Sequence, residues 1–382
     1  MFREKFLFNG GVDLASQLGI SRPIKVLVVD DSAFMRKVVS EMLEEADDIE
    51  VIDKARNGID ALRKIETDEP DVITLDVEMP KMDGLEFLQK LPELIGKNIP
   101  VIMLSSLTTK QSKTTIKALE LGAIDFVAKP SGSISLDIDQ VKQELIEKVR
   151  IAAGAKSKLA KISKTFSRTL KPVKKRVIST KKITAKPSIS TRATGLTKLV
   201  VIGSSTGGPR ALKEVVTLLP EDLDAAVLIV QHMPPGFTTT SLAQRLDKLS
   251  DIRVKEAAEG DRLEKGLALL APGDYHMTIE NGQVKLNQNP KVHNVRPAVD
   301  VTMESIAYDY NSNTVGVILT GMGKDGAEGM KLIRDNGGKT IGQDEETCVV
   351  YGMPKVAYEI GGVEVVKPID RIAEEIVRMV NS

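Results

Sequence analysis

The sequence predicts an α/β protein of two domains, each a largely parallel sheet wrapped by helices, and three observations carry that prediction. The chain has 382 residues, more than one ordinary domain of roughly 100–200 residues holds. Its apolar filling is aliphatic, with 42% hydrophobic residues but only 3% aromatics and no Trp, which suits strands and helices packed on Val, Ile and Leu. Short apolar runs alternate with helix-length amphipathic stretches in both halves, and a long basic stretch separates the two.

In the first half, Ile24 to Val29, Val51 to Ala55, Val72 to Leu75, Val101 to Leu104 and Ile124 to Val127 read as strands. Helices begin between them near Phe34, Ile59, Gly84 and Lys113, and a last one carries Ile138, Val141, Leu145 and Val149 on one face. Residues 23–147 are therefore a (βα)5 domain with a parallel sheet. From Lys148 to Lys198 there are 16 Lys or Arg and no Asp or Glu, with Pro172, Pro187 and little apolar periodicity. Such a stretch buries too little surface to order itself, so residues 148–196 read as a basic flexible linker. The zero net charge hides this segregation, because the rest of the chain holds 37 basic against 53 acidic residues.

Residues 197–382 read as a doubly wound α/β domain. Lys198 to Ile202, Ala225 to Val230, Leu267 to Leu270, Val284 to Leu286 and Val315 to Leu319 are its strands, with Asn281-Gly282 as a hairpin turn. Helices start at Pro209, lie around Ser241 to Leu249, and end near Asp335. Residues 1–22 match neither pattern and read as an N-terminal extension. The single cysteine, Cys348, excludes an intrachain disulfide and a Cys-based zinc site and points to a reducing compartment. Arg3, Glu4 and Lys5 break up the N-terminus, and apolar runs such as Ala225 to Val230 fall far short of the ~20 residues of a membrane span. The expectation is a cytoplasmic protein with no membrane insertion.

Asp30 and Asp31 follow the first strand, Asp76 and Ser105 end the third and fourth, and Lys129-Pro130 ends the fifth. The carboxyl edge of an open α/β sheet is where ligands bind, so these groups converge in one crevice. Clustered carboxylates there suit a hard divalent ion, Mg²⁺ above others.

In the second half, Gly203-Ser204-Ser205-Thr206-Gly207 stands between a strand and a helix. That G-x-S-x-G context presents Ser205 at a helix N-terminus as a nucleophile. A tight turn without chemistry remains open for this motif alone, whereas the dinucleotide fingerprint fails because Ser205 replaces its second glycine. Of the three histidines, His232 follows the buried strand Ala225 to Val230 and so shares the edge of Ser205. His276 and His293 lie in loop-like surroundings and read as structural. Asp325, in Thr320-Gly321-Met322-Gly323-Lys324-Asp325-Gly326 after another core strand, is the natural acid partner of His232. A Walker A reading of Gly323-Lys324 fails, since Asp325 replaces the Ser or Thr. The order Ser, His, Asp also differs from that of α/β-hydrolases.

The motifs Val28-Val29-Asp30-Asp31-Ser32, Asp76-Val77-Glu78-Met79-Pro80, Ser105 and Lys129-Pro130 resemble a response-regulator receiver domain. The resemblance implies that Asp76 accepts a phosphoryl group, that Asp31, Asp76 and the Glu78 carbonyl hold Mg²⁺, and that Asp30 contributes through water. It further implies that Ser105, Lys129 and Phe126 form the phosphoryl switch. With Gln231-His232-Met233-Pro234, Arg296-Pro297-Ala298-Val299-Asp300 and Tyr351-Gly352-Met353-Pro354, the second half resembles the catalytic domain of the bacterial chemotaxis protein-glutamate methylesterases. That resemblance implies Ser205 as nucleophile, His232 as base, Asp325 as its orienter and the Met322 N–H in the oxyanion hole, with no cofactor in this domain. The Thr206 N–H joins the oxyanion hole by general analogy with the residue after a nucleophile. Ser204 stands where the family pattern often has Ala.

The implied substrates are glutamate γ-methyl esters and particular glutamines of methyl-accepting chemotaxis receptors, and the implied phosphodonor is the chemotaxis histidine kinase. The family also implies that the unphosphorylated receiver covers the catalytic edge. Nucleic acid is not an expected partner: the basic stretch suits phosphate contacts, but no helix-turn-helix pattern follows the receiver-like half. A receiver-controlled esterase or amidase for another target is the competing reading.

Overall fold

The computed structural model describes residues 22–95, 99–106, 109–129, 136–169, 198–233 and 239–382. The expected extension, apart from Arg22, lies outside them. The first half forms strands β1 (Ile24–Val29), β2 (Ile49–Ala55), β3 (Val72–Asp76), β4 (Val101–Ser105) and β5 (Asp125–Ala128). They make one parallel sheet in the order β2-β1-β3-β4-β5. Every residue of β3 and β4 is buried, because helices cover both faces of a parallel sheet, and this is why these strands read as continuous apolar runs. The helices are α1 (Ala33–Glu44), α2 (Gly58–Asp68), α3 (Gly84–Ile95), α4 (Thr109–Glu120) and α5 (Leu136–Thr169). Ser32 caps α1 by accepting the Met35 N–H, which fixes the Asp30-Asp31 loop at the carboxyl edge of the sheet.

Helix α5 corrects the expected linker boundary at residue 148. It runs through 34 residues to Thr169, and Val149, Ala152 and Ala155 are buried in the first domain's core. The apolar stripe that starts at Ile138 continues past the point where composition turns basic, and its burial outweighs the charge. Those charges are also paired: Arg150 grips Asp48 at 2.8 and 2.6 Å, and Lys156 meets Asp71 at 2.7 Å. Residues 170–196 of the expected linker lie outside the described residues.

The second half contributes β6 (Leu199–Ser204), β7 (Ala226–Gln231), β8 (Arg253–Glu256), β9 (Leu267–Leu270), a hairpin of β10 (His276–Glu280) and β11 (Gln283–Asn287), then β12 (Thr314–Ile318), β13 (Lys339–Gln343) and β14 (Val365–Lys367). Seven of these form a parallel sheet in the order β14-β13-β12-β6-β7-β9-β8. The antiparallel hairpin stands apart. It turns at Asn281 and Gly282, both at positive φ (53° and 73°), as a two-residue hairpin loop requires. The expected strand around Val284 therefore belongs to this hairpin and not to the main sheet.

Helices α6 (Gly208–Val216), α7 (Thr239–Leu249), α8 (Val299–Tyr310), α9 (Ala327–Asp335), α10 (Met353–Glu359) and α11 (Ile369–Val380) flank the sheet. The chain winds outward from β6 through β7, then returns to lay β12 on the opposite side of β6. The crevice between β6 and β12 is thus the switch point of a doubly wound sheet, where ligands bind outside the strand carboxyl ends.

The two domains meet through α4, which packs against α6 and α7. One buried apolar cluster runs from Ile116 and Leu119 on the receiver-like side to Leu212, Val216 and Leu246 on the other. At its rim Arg245 makes a two-pronged pair with Glu120 at 2.6 and 2.9 Å.

Candidate active site

In the first domain, Lys129 Nζ lies 2.7 Å from Asp30 Oδ2 and 2.8 Å from Asp76 Oδ1. Three strand ends therefore place an ammonium between two buried carboxylates. Burial raises the Asp76 carboxyl above its ordinary value, an effect that Lys129 only partly offsets. Burial pulls Lys129 down, but Asp30 and Asp76 outweigh it and hold the ammonium above its ordinary value. One oxygen each from Asp30, Asp31 and Asp76 lies within 4.8 Å of the others, and an all-carboxylate donor set of that size fits a hard divalent cation. Glu78 is exposed beside them. Ser105 is buried, and its hydroxyl accepts a hydrogen bond from Thr115 Oγ1 at 2.9 Å.

Phe126 is also buried, under an unexpected neighbour. Lys148, the first residue of the expected linker, is packed with its ammonium 5.1 Å from the Phe126 ring centroid. It donates to the Phe126 carbonyl at 2.6 Å and pairs with Glu144 at 2.7 Å and Asp125 at 3.2 Å. Burial alone would discharge it, but the two carboxylates outweigh that and raise its pKa.

In the second domain, Ser205, His232 and Asp325 come together at the β6, β7 and β12 ends. His232 Nε2 lies 2.7 Å from Asp325 Oδ2, and both residues line one cavity with Ser205. Among the described residues no hydrogen bond joins the Ser205 hydroxyl to His232. Asp325 is buried and accepts the N–H groups of Val299 (2.6 Å) and Asp300 (3.1 Å), so it caps α8 from another loop. Burial pushes its carboxyl up, but the His232 bond and these N–H groups prevail and hold it below its ordinary value.

The serine loop is fixed by residues that sequence reading passed over. Gln231 accepts from Ser204 Oγ at 2.7 Å and donates to the carbonyls of Ser205 and His232 at 3.0 and 2.9 Å. Thr320 accepts the Ser205 N–H through its carbonyl (3.0 Å) and donates its hydroxyl to the Thr206 carbonyl (3.0 Å). The Gln-His adjacency was the available signal for Gln231, because a residue one step back along a strand end points across the loop. Gly321 has no alternative: a Cβ there would stand 2.8 Å from the Ser205 Cβ and 2.2 Å from Met353 Sδ. The backbone N–H groups of Thr206 and Met322 donate to no acceptor among the described residues.

The two other histidines differ from each other. His276 is buried, with Nδ1 accepting the Ala298 N–H at 3.3 Å and Nε2 at 3.2 Å from the Pro290 carbonyl. His293 instead reaches Asp300 at 3.0 Å, whose N–H donates to Asp325, and it lines the same cavity as Ser205 and His232.

The cavity that holds Ser205 and His232, about 920 Å³, is shared between domains, since Asp125, Phe126 and Glu147 of the first line it together with Met322 and Asp325 of the second.

These features define a hydrolase of α/β fold attached to a receiver domain. Residues 26–138 match the response regulator receiver domain family, and residues 200–376 match the CheB methylesterase family. A relative from Symbiobacterium thermophilum, described as protein-glutamate methylesterase/protein-glutamine glutaminase, is 50% identical over 94% of this chain and 98% of its own length. Another of that description, from Pyrococcus horikoshii, is 47% identical over 94% of this chain and 95% of its own. A crystal structure of the Thermotoga maritima CheB methylesterase catalytic domain is 49% identical, covering 48% of this chain and 98% of that one, with a TM-score of 0.46. The chain belongs to the protein-glutamate methylesterase/protein-glutamine glutaminase family. Its receiver domain makes it a target of phosphorylation by a histidine kinase. Among the described residues no helix is long and apolar enough to cross a membrane.

Proposed function

We propose that this protein hydrolyses glutamate γ-methyl esters on methyl-accepting chemotaxis receptors in the cytoplasm, releasing methanol, and deamidates receptor glutamines at the same site. The observation that carries this reading is the 2.7 Å His232–Asp325 pair sharing a cavity with Ser205 at the sheet's switch point.

Ser205 Oγ attacks the ester carbonyl carbon while His232 takes its proton. Nε2 is engaged by Asp325, so Nδ1 is the ring atom that receives it. The resulting oxyanion is held by the N–H groups of Thr206 and Met322, which have no competing acceptor among the described residues. His232 then protonates the departing methanol, and water activated by the same ring hydrolyses the acyl-serine. With a glutamine substrate, ammonia leaves in place of methanol.

Control comes from the receiver, taken as residues 23–147 with the helical extension of α5, acting on a catalytic domain of residues 197–382. Asp76 accepts the phosphoryl group from the chemotaxis histidine kinase. Asp31, Asp76 and the Glu78 carbonyl would hold Mg²⁺, with Asp30 contributing through water, and the cation would neutralise charge on the transferred phosphoryl oxygens. Lys129 supplies a second positive charge there. Ser105 hydrogen-bonds the phosphoryl group, and Phe126 relays its presence toward the shared cavity.

The test is methanol release from methylated receptor membranes by the full chain with Mg²⁺, with and without a small-molecule phosphodonor. Release that rises with the phosphodonor, and vanishes in S205A, is the expected result. No release from a folded and phosphorylated protein would redirect the substrate assignment to another ester or amide.

A further inference from the structure

A second Asp–His pair stands behind the first. Asp300 Oδ2 lies 3.0 Å from His293 Nε2, and Asp300 Oδ1 accepts the Gly329 N–H of α9 at 2.8 Å. The Asp300 N–H meanwhile donates to Asp325 Oδ1 at 3.1 Å. Two packed helices thus exchange caps: Asp325, just before α9, caps α8, while Asp300, in the first turn of α8, caps α9. Both carboxylates are buried. One atom each from His293, Asp300 and Asp325 falls within 4.8 Å of the others. Those oxygens already accept hydrogen bonds from His232, His293 and three backbone N–H groups, so the arrangement reads as a hydrogen-bonded relay.

We propose that Asp300, paired with His293, is a positioning residue for the hydrolytic site: its charge acts through Asp325 on the His232 ring that takes the serine proton, and so shapes the pH dependence of the reaction. The inference rests on the triad reading above. Helix capping alone needs only an acceptor at Asp300, and an amide would supply it. A negative charge a few ångströms behind Asp325 does more, because in a buried site it attracts the positive charge that develops on the His232 ring as it takes the serine proton. His293 draws off part of that charge through its hydrogen bond to Asp300 Oδ2, so the two members of the pair act in opposite directions. Burial and the Asp325 charge push the Asp300 carboxyl up to about 6, which places its titration near the working range of a histidine base.

Among the described residues several titratable groups surround Asp300, including Lys324 beside Asp325 and Lys291 on the cavity that His293 lines. Asp325 faces it from the loop before α9 and His293 from the segment before α8. His232 and His276 sense Asp325 from the β7 end and the β10 start, with Arg296 beside His276. Glu328 in the first turn of α9 is exposed. Glu144 and Glu147 of α5 line the cavity that His293 also lines.

The experiment is the pH dependence of kcat/KM for methanol release, measured on the full chain with Mg²⁺ and a saturating phosphodonor. Wild type, D300N and H293Q are compared as ratios at each pH, so that titration of the receiver cancels. Asn at 300 keeps an acceptor for Gly329 and offers a donor to His293, so the caps survive. The expected result is an acid limb moved down by about half to one pH unit in D300N and moved up in H293Q. Profiles lowered in height but unmoved along the pH axis would overturn the proposal and leave a capping role alone. Should D300N fail to fold, the H293Q shift decides. S205A and D325N are run in parallel: release retained in both would defeat the triad reading itself, whereas inactive controls with unmoved D300N and H293Q limbs would defeat only the inference.

Discussion

The Thr206 hydroxyl donates to Asp125 Oδ2 at 2.6 Å, and both groups are buried. This bond crosses the domain boundary from the residue after the proposed nucleophile to the residue before Phe126. A receiver that displaces Phe126 on phosphorylation must therefore disturb a bond anchored in the oxyanion loop. T206V keeps the backbone N–H and loses only the hydroxyl. A hydrogen bond to a charged acceptor is worth about 1.5–3 kcal/mol, and about 1.4 kcal/mol is tenfold in an equilibrium. The unphosphorylated rate of T206V should rise roughly tenfold, while the phosphodonor-stimulated rate changes little. An unchanged basal rate would mean that this bond does not hold the domains closed.

Arg245 and Glu120 form another charged contact between the domains, but Arg245 is half-exposed at the rim. Exposed pairs contribute about 0.2–1 kcal/mol and are screened by salt. R245A should raise the basal rate by about fivefold at most, and the difference from wild type should shrink at 0.5 M salt. A salt-independent effect equal to that of T206V would place Arg245 among the principal closing contacts.

D325N keeps an acceptor for the α8 cap and removes the charge that orients His232. In serine hydrolases the corresponding change lowers kcat by about 10⁴-fold. A loss of at least about 10³-fold in kcat is expected here, with little change in KM and an intact fold by circular dichroism. A loss confined to KM would argue that Asp325 acts on substrate binding.

Asp300 makes a prediction about stability separate from its effect on rate. Its carboxyl is raised from 3.8 to about 6 by burial and by Asp325, so between those values the folded protein holds a proton that the unfolded chain has released. Stability attributable to this group is therefore greatest below about pH 4, falls as pH rises to about 6, and stays low above it. Relative to wild type, D300N should gain thermal stability as pH rises from 4 to 7 and then level off. The gain is at most about 3 kcal/mol, less about 1 kcal/mol for weaker hydrogen bonding by the amide. A difference in Tm that is flat across this range would show that Asp300 ionises normally.

The strands were the most legible part of the sequence. In a parallel sheet both faces are covered, so β4, β6 and β7 carry unbroken apolar runs and β3 one interrupted only by the buried Thr74. Helices α8, α10 and α11 and strands β8, β10, β13 and β14 were not read. The edge strands carry charged or partly exposed residues such as Arg253, Lys255 and Lys367, which weaken the apolar signal at a sheet's margins. The linker boundary failed for a related reason. Composition turns basic at Lys148, but the partners of Arg150 and Lys156 are Asp48 and Asp71, and Lys148 adds Asp125 to its neighbour Glu144; the three aspartates lie far away in the chain, outside any local window.

Residue order alone determined which chemical groups reach the two sheet edges, because a polar residue that ends a buried strand has nowhere else to go. Asp30, Asp76 and Lys129 on one sheet, and Ser205 and His232 on the other, follow from that rule, whereas Asp325 comes from the loop between β12 and α9. Only the tertiary structure decided how those edges face one another and what stands behind them. The shared cavity, the Thr206–Asp125 bond, the burial of Lys148 against Phe126 and the His293–Asp300 pair all join residues 7 to 81 positions apart through burial. Desolvation makes such contacts strong, and it depends on which surfaces close together, a property of the packed molecule that no stretch of sequence carries by itself.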